Sequence, residues 1–212
     1  MTDAEVRTPV RSWLGGGALL AAAAVLPLVF GAGVGVGLIP RTLGQMLVLA
    51  AMVVFAFGLR GTGSLVARRP VGMIALLVLG LVPLVFTLAT PSSVSEDEVW
   101  LLQILGYSEL VVSVGAALVA AIEIARARVV PDPWRWAPTV ALAVIVFVQA
   151  AAQVIGVAVG SERLLDLVPA LSAAGFATAV LVPLALGVIA MMLGARGRQG
   201  IPAASPQVYP PA

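Results

Sequence analysis

The chain has 212 residues, of which 61% are hydrophobic and only 10% are charged, and its net charge is +2. A soluble domain needs a polar shell that so few charged residues cannot supply, whereas lipid covers the apolar surface of a protein in a bilayer. The composition therefore excludes a soluble globular protein and predicts an all-α, polytopic membrane helix bundle.

The residue types that are missing exclude several chemistries. The sequence contains no histidine, no cysteine and no lysine. Ordinary zinc, haem and copper sites, serine–histidine or cysteine–histidine nucleophiles, and Schiff bases all depend on these residues. We therefore expect no enzymatic activity, no cofactor and no metal site. We also expect no nucleic acid partner, because the arginines flank apolar runs and do not form one basic face.

Six apolar stretches are long enough to cross the hydrocarbon core of a bilayer, which takes roughly 20 residues. They cover approximately residues 13–39, 42–59, 71–90, 100–125, 137–160 and 167–194. The sequence thus predicts six transmembrane helices, arranged as three antiparallel hairpins within residues 13–196, after a short N-terminal segment over residues 1–12. The Pro-rich end, residues 197–212, cannot bury enough apolar area to fold and is expected to be a disordered tail.

The arginines predict the orientation, because short cytoplasmic loops carry an excess of positive charge. With the N-terminus inside, only Arg41 and Arg163 lie outside. The other arginines then all lie in cytoplasmic segments: Arg7, Arg11, Arg60, Arg68, Arg69, Arg126, Arg128, Arg135, Arg196 and Arg198. We therefore expect both termini in the cytoplasm (N-in/C-in). The use of arginine without lysine, with abundant alanine, glycine, valine and proline, indicates the cytoplasmic (inner) membrane of a GC-rich bacterium.

A signal peptide is the alternative interpretation of the first span. Basic residues precede the apolar run over residues 18–30, and small residues follow at 31–33. Against this, Asp3 and Glu5 weaken the basic segment, and the apolar run continues to Ile39. Cleavage would leave five helices and an external N-terminus, with the other orientations unchanged.

Small residues near the end of the first span predict close helix packing. Gly31, Gly33, Gly35 and Gly37 recur at every second position, which contains two pairs at the small-xxx-small spacing. We expect this segment to contact another helix, either within the bundle or in a dimer.

A deep ionisable residue marks the candidate polar site. Glu109 lies nine residues into the fourth span, counted from Trp100, and the antiparallel fifth span carries Gln149 and Gln153 one turn apart at the same depth. Ser113 lies one turn from Glu109 on the same stripe. The sequence therefore predicts that the fourth and fifth helices pack along a predicted polar cluster formed by Glu109, Ser113, Gln149 and Gln153.

Two interpretations of the predicted polar cluster remain open. A neutral Glu109 that hydrogen-bonds a glutamine amide would be structural glue between helices, a role worth about 0.6 kcal/mol per bond. Alternatively, the cluster is a proton or ligand site, because a carboxylate at the centre of a bilayer costs roughly 2.5–3.5 kcal/mol to insert and is a functional clue by default.

The loop after the second span is a candidate contact for a phosphate or an anionic lipid headgroup. Arg60, Arg68 and Arg69 surround a short Gly/Ser/Thr-rich stretch, which combines guanidinium groups with backbone amides. The alternative is an ordinary basic cytoplasmic loop.

Two functions follow as hypotheses. The first is a non-catalytic accessory or assembly subunit of a membrane complex, which the short loops, small-residue seams and few polar groups favour. Its partners would be the lipid bilayer and other membrane subunits or a homo-oligomer. The second is a small carrier or solute-binding permease that uses Glu109, Gln149 and Gln153 near the bilayer midplane. A polar cavity at Glu109 would favour the carrier, and an uncovered stripe of small residues would favour the subunit.

Overall fold

The structure is a computed structural model that describes residues 10–30, 38–58, 64–66, 69–89, 99–127, 129–130, 132 and 134–199. The regular elements in these ranges are all helical. They are α1 (Val10–Val29), α2 (Leu38–Phe57), α3 (Pro70–Ala89), α4 (Val99–Ala127), a 3₁₀ turn (Trp134–Trp136) and α5 (Ala137–Gln199).

Six helical segments of the described chain are long and apolar enough to cross a membrane, as the sequence predicts. They are Arg11–Val29, Ile39–Phe57, Pro70–Ala89, Trp100–Ala127, Trp134–Ile155 and Leu167–Arg196. The protein is therefore a multi-pass membrane helix bundle. Which end faces the cytoplasm stays a prediction from the arginines.

The boundary between the first two spans differs from the expected one. Helix α1 ends at Val29 and α2 begins at Leu38, whereas the sequence placed this boundary near residues 40–41. Pro40 therefore lies in the first turn of α2, where its missing N–H and fixed φ cost little. The glycines expected to pack, Gly31 to Gly37, lie outside the described residues.

The fifth and sixth spans belong to one helical element, yet they lie side by side. A straight helix of 63 residues would be about 94 Å long, and Ala141 and Leu186 would lie roughly 68 Å apart in it. Both residues line the same two cavities. The chain therefore reverses direction within α5, between Ile155 and Leu167, and forms a first arm (137–155) and a second arm (167–196) that run antiparallel.

Consecutive helices contact each other, α1 with α2, α2 with α3 and α3 with α4, and α5 contacts both α1 and α4. Glycines allow the closest approaches. A Cβ on Gly187 would lie 2.7 Å from the Gly17 backbone oxygen, and one on Gly80 would lie 3.0 Å from Leu49 Cα. The close contact of small residues therefore joins α1 to the second arm of α5, and α2 to α3.

One end of the bundle collects most of the described arginines. Trp13, Ile124, Trp134 and Leu193 line one cavity there, so the start of α1 and the end of α5 lie at the same end of the molecule. We call this the basic end, because it carries Arg11, Arg69, Arg126, Arg135 and Arg196. Trp13, near the start of α1, is only 6% exposed and belongs to the core.

Candidate functional site

The connection from α2 to α3 begins with a helix cap at the basic end. Gly58 has a φ of 78°, and its N–H donates to the Val54 carbonyl over 2.8 Å. This is the left-handed cap that glycine forms without steric cost. The cap stops α2 at Phe57 and turns the chain back toward the bundle.

The described part of the following loop folds onto the end of α2. The Leu65 N–H donates to the Phe55 carbonyl over 3.0 Å, and the Val66 N–H donates to Ser64 Oγ over 3.2 Å. Val66 is fully buried and Ser64 is 3% exposed. Hydrogen bonding to a carbonyl at the end of α2 and burial of the Val66 side chain therefore both hold this loop in place.

Gly72, in the first turn of α3, brings the loop and α4 together. A Cβ at this position would lie 2.9 Å from Val66 Cβ and 3.1 Å from Glu123 Cβ. Any larger residue would push the loop and α4 apart. The absent side chain therefore makes room for Glu123, which is buried at 8% exposure.

Glu123 forms the centre of an ion cluster. Its Oε2 lies 3.4 Å from Arg69 Nη1, and its Oε1 lies 3.3 Å from Arg126 Nη1. The guanidinium groups keep contact with solvent, because the Arg69 and Arg126 side chains are 47% and 67% exposed. Such partly exposed pairs contribute roughly 0–1 kcal/mol each. The cluster therefore fixes the loop against α4 more than it adds stability.

The sequence located only part of this ion cluster. The spacing of Glu123 and Arg126 marks one helix face, but Arg69 lies 54 residues before Glu123 and no local pattern joins them. Of the three arginines expected to contact a headgroup, Arg60 and Arg68 lie outside the described residues. Arg69 is described, and its guanidinium group pairs with Glu123.

The predicted polar cluster is not joined by hydrogen bonds in the described part of the chain. Glu109 and Ser113 are half-buried on α4, whereas Gln149 and Gln153 are exposed on the first arm of α5. The buried Ser113 Oγ has no hydrogen-bond partner among the described residues.

The contact between α4 and α5 is less extensive than that between α3 and α4, which leaves an opening between exposed positions of α4 and the first arm of α5 at this level. Nearer the basic end, Ala117 of α4 and Ile145 of the first arm line one apolar cavity of about 230 Å³. Ser113 and Gln149 lie one turn farther from the basic end on the same two helix faces. Gly106 continues the α4 face beyond Glu109, and a Cβ on it would meet nothing within 4 Å. We call this opening the α4–α5 gap.

Two apolar cavities lie toward the basic end. The first, of about 230 Å³, is lined by residues of all five helices, and the second, of about 420 Å³, lies between the two arms of α5. Their linings share Trp134, Ala141 and Leu186, so the cavities adjoin. Every lining residue of both cavities is apolar or tryptophan. Trp13 lines the first cavity, and its buried indole N–H has no acceptor among the described residues.

Comparisons of this chain with models of known protein families, with curated proteins and with solved structures find no match.

Proposed function

We propose that this protein is a non-catalytic accessory or assembly subunit of a membrane complex, and that a transmembrane helix of its partner fills the α4–α5 gap. The observation that carries the proposal is the exposure of Gln149 and Gln153 within a membrane span. Both amides lie on a surface that nothing in the described chain covers.

Lipid is a poor environment for these amides. Transfer of an amide group from water into an apolar medium without hydrogen bonds costs roughly 4–8 kcal/mol of free energy. Lipid tails offer no hydrogen-bond donors or acceptors. A helix that brought polar groups into the α4–α5 gap would satisfy the exposed amides of Gln149 and Gln153 together. Polar side chains across a helix contact are the usual interhelical glue in membranes.

The small residue Gly106 also makes the α4–α5 gap suitable for contact with a neighbouring helix. The open position at Gly106 would let the backbone of a neighbouring helix approach α4 closely. Gly106, Glu109 and Ser113 follow one another at helical spacing, so they form one stripe. A stripe that combines a small residue with polar residues is typical of a surface that contacts protein.

The carrier hypothesis has less support. A carrier that used Glu109, Gln149 and Gln153 would enclose a solute among them, but none of these residues lines either of the two large cavities. The proposed topology keeps the basic end in the cytoplasm, in line with the positive-inside rule. The proposed location is the cytoplasmic membrane of a GC-rich bacterium.

Native mass spectrometry of the protein, extracted gently from its own membrane, tests the proposal. We expect a second polypeptide at fixed stoichiometry with the wild-type chain. The double variant Gln149→Leu/Gln153→Leu should lose this polypeptide, and the control Phe147→Leu, on the opposite face of the same arm, should keep it. Exposed Phe147 contributes no hydrogen bond, so its substitution changes only lipid-facing surface.

The other outcomes are equally informative. A second copy of this chain in the gap would make the partner a homo-oligomer. Extraction of the wild-type protein without any second polypeptide would contradict the proposal. A bare protein that carries a small molecule, lost in Glu109→Ala, would support the carrier hypothesis.

A further inference from the structure

We propose that the two adjoining cavities hold one acyl chain of an anionic phospholipid, which enters from the bilayer between the two arms of α5. This inference is independent of the proposed partner, because the cavities lie toward the basic end and are lined by other residues than the polar ones of the α4–α5 gap.

The lining chemistry points to a hydrocarbon occupant. Apolar cavities stay dry and bind apolar molecules, and one of about 150 Å³ is already enough for benzene. The first cavity is larger, at about 230 Å³, and the second, at about 420 Å³, lies in the usual range of roughly 300–1,000 Å³ for ligand pockets. Within a bilayer, acyl chains are the apolar molecules present at the highest concentration.

The second cavity opens toward lipid. Four of its lining residues are exposed on the outer surface of α5: Trp136 by 49%, Val140 by 60%, Val144 by 44% and Leu181 by 60%. Trp136 ends the 3₁₀ turn, Val140 and Val144 lie on the first arm, and Leu181 lies on the opposite arm. An acyl chain can therefore pass between the arms from the side without leaving the hydrocarbon region.

Arginine side chains lie close to residues that line the cavities. Arg196 is exposed and lies beside Trp134 and Leu193, which line the first cavity. Among the described residues Arg196 has no ion pair. Arg135 is already engaged, since its Nε lies 2.6 Å from Asp132 Oδ1 and its guanidinium lies 5.3 Å from the centre of the Trp136 ring. Arg196 is thus a cation available to a lipid phosphate beside Trp134.

The residues around the mouth also match the position of a lipid at the membrane surface. Trp134 and Trp136 flank Arg135, and tryptophan and arginine together are typical of the headgroup level of a bilayer. A phospholipid whose phosphate lay at Arg196 would have its glycerol at the tryptophans and one chain in the cavities. The proposed occupant therefore accounts for the cation, the aromatic mouth and the apolar interior at once.

Single alanine substitutions distinguish a lipid bound in the cavities from lipid that only contacts the outer surface. Ala141 lines both cavities, whereas Ala143, two residues along the same arm, is exposed and lines neither. Ala141→Phe should fill the cavities, and Ala143→Phe should only enlarge the lipid-facing surface. Ala185→Phe, which projects into the second cavity from the opposite arm, provides a second blocking variant in case Ala141→Phe fails to fold.

The experiment uses the full chain in vesicles of equal phosphatidylglycerol and phosphatidylcholine, followed by mild detergent extraction and native mass spectrometry. We expect one retained phospholipid per chain, with phosphatidylglycerol favoured about fivefold, the effect of one arginine near an anionic surface. Ala141→Phe or Ala185→Phe should lose this lipid, and Ala143→Phe should keep it. Arg196→Gln should retain a lipid but lose the preference for phosphatidylglycerol.

Three results would overturn the proposal. One is equal lipid retention by a folded blocking variant and by Ala143→Phe. Another is an unchanged preference for phosphatidylglycerol in Arg196→Gln. The third is a retained molecule that is not a phospholipid.

Discussion

The contact between α1 and the second arm of α5 yields the sharpest prediction about stability. Gly187 and Gly17 face each other across this contact, and the atoms nearest to a Cβ on Gly187 are backbone atoms: the Gly17 oxygen at 2.7 Å and the Ala21 nitrogen at 3.0 Å. A flexible side chain could move aside, but backbone atoms cannot. Gly187→Ala should therefore force the two helices apart.

The magnitude follows from the distances. Ordinary contact begins near 3.4 Å, so α1 must shift by roughly 0.7 Å. Overpacking of this kind costs about 1–3 kcal/mol, and a gap of this size along the contact forfeits part of its dispersion energy. The better helix propensity of alanine returns up to about 1 kcal/mol. We expect a net loss of about 1–2 kcal/mol, which lowers Tm by roughly 2–8 °C in a chain of this length.

Thermal unfolding in mild detergent measures this effect, and Gly115→Ala is the matched control. A Cβ on Gly115 would meet nothing within 4 Å, so this variant should keep or slightly raise the Tm. Gly17→Ala should resemble Gly187→Ala. The double variant should cost less than the sum of the two, because one displacement relieves both clashes. If Gly187→Ala and Gly115→Ala had the same Tm, the proposed helix contact would be wrong.

Three further predictions concern the ion cluster and the predicted polar cluster. Gly72→Ala should lower Tm by a similar amount, because its Cβ would meet Val66 at 2.9 Å and Glu123 at 3.1 Å; an unchanged Tm would mean that the loop does not pack there. Glu123→Gln should lower Tm by an amount equivalent to roughly 0.2–1 kcal/mol for each partly exposed arginine pair. That loss should decrease as the salt concentration rises toward 1 M, because both guanidinium groups are exposed to solvent, and an equal loss at low and high salt would refute an electrostatic origin. If Glu109 is structural glue, Glu109→Gln should keep expression, Tm and partner binding, because the amide still forms hydrogen bonds. Loss of partner binding at normal Tm would indicate a functional carboxyl group.

The local features of the fold could be predicted from the sequence, and their limits have local causes. Apolar length located the six spans, because each helix satisfies its own backbone hydrogen bonds in lipid whatever its neighbours are. The end of α1 was placed too late, at residue 39, because apolar composition alone does not separate α1, which ends at Val29, from the glycine-rich run after it. The pairing of Arg126 with Glu123 could be expected from the sequence, because residues three apart lie on one face of a helix.

The candidate polar site shows where such reasoning stops. Depth along two antiparallel spans placed Glu109 level with Gln149 and Gln153, but no hydrogen bond joins these side chains among the described residues. Depth follows from counting residues, whereas the distance between two helices depends on how every other helix packs. The same holds for Arg69 and Glu123, which the loop folded against Gly72 brings together.

The sequence by itself determined that this protein is a helical membrane bundle with six apolar spans, because transfer of a segment into lipid depends on that segment's own composition. Only the tertiary structure decided that α1 packs against the second arm of α5 through Gly17 and Gly187. It also decided that Glu123 pairs with Arg69, and that Trp134 lines two adjoining apolar cavities. The physical reason is that lipid tails are as apolar as the side chains. Helix pairing in a bilayer therefore follows shape and polar complementarity, which hydropathy does not record.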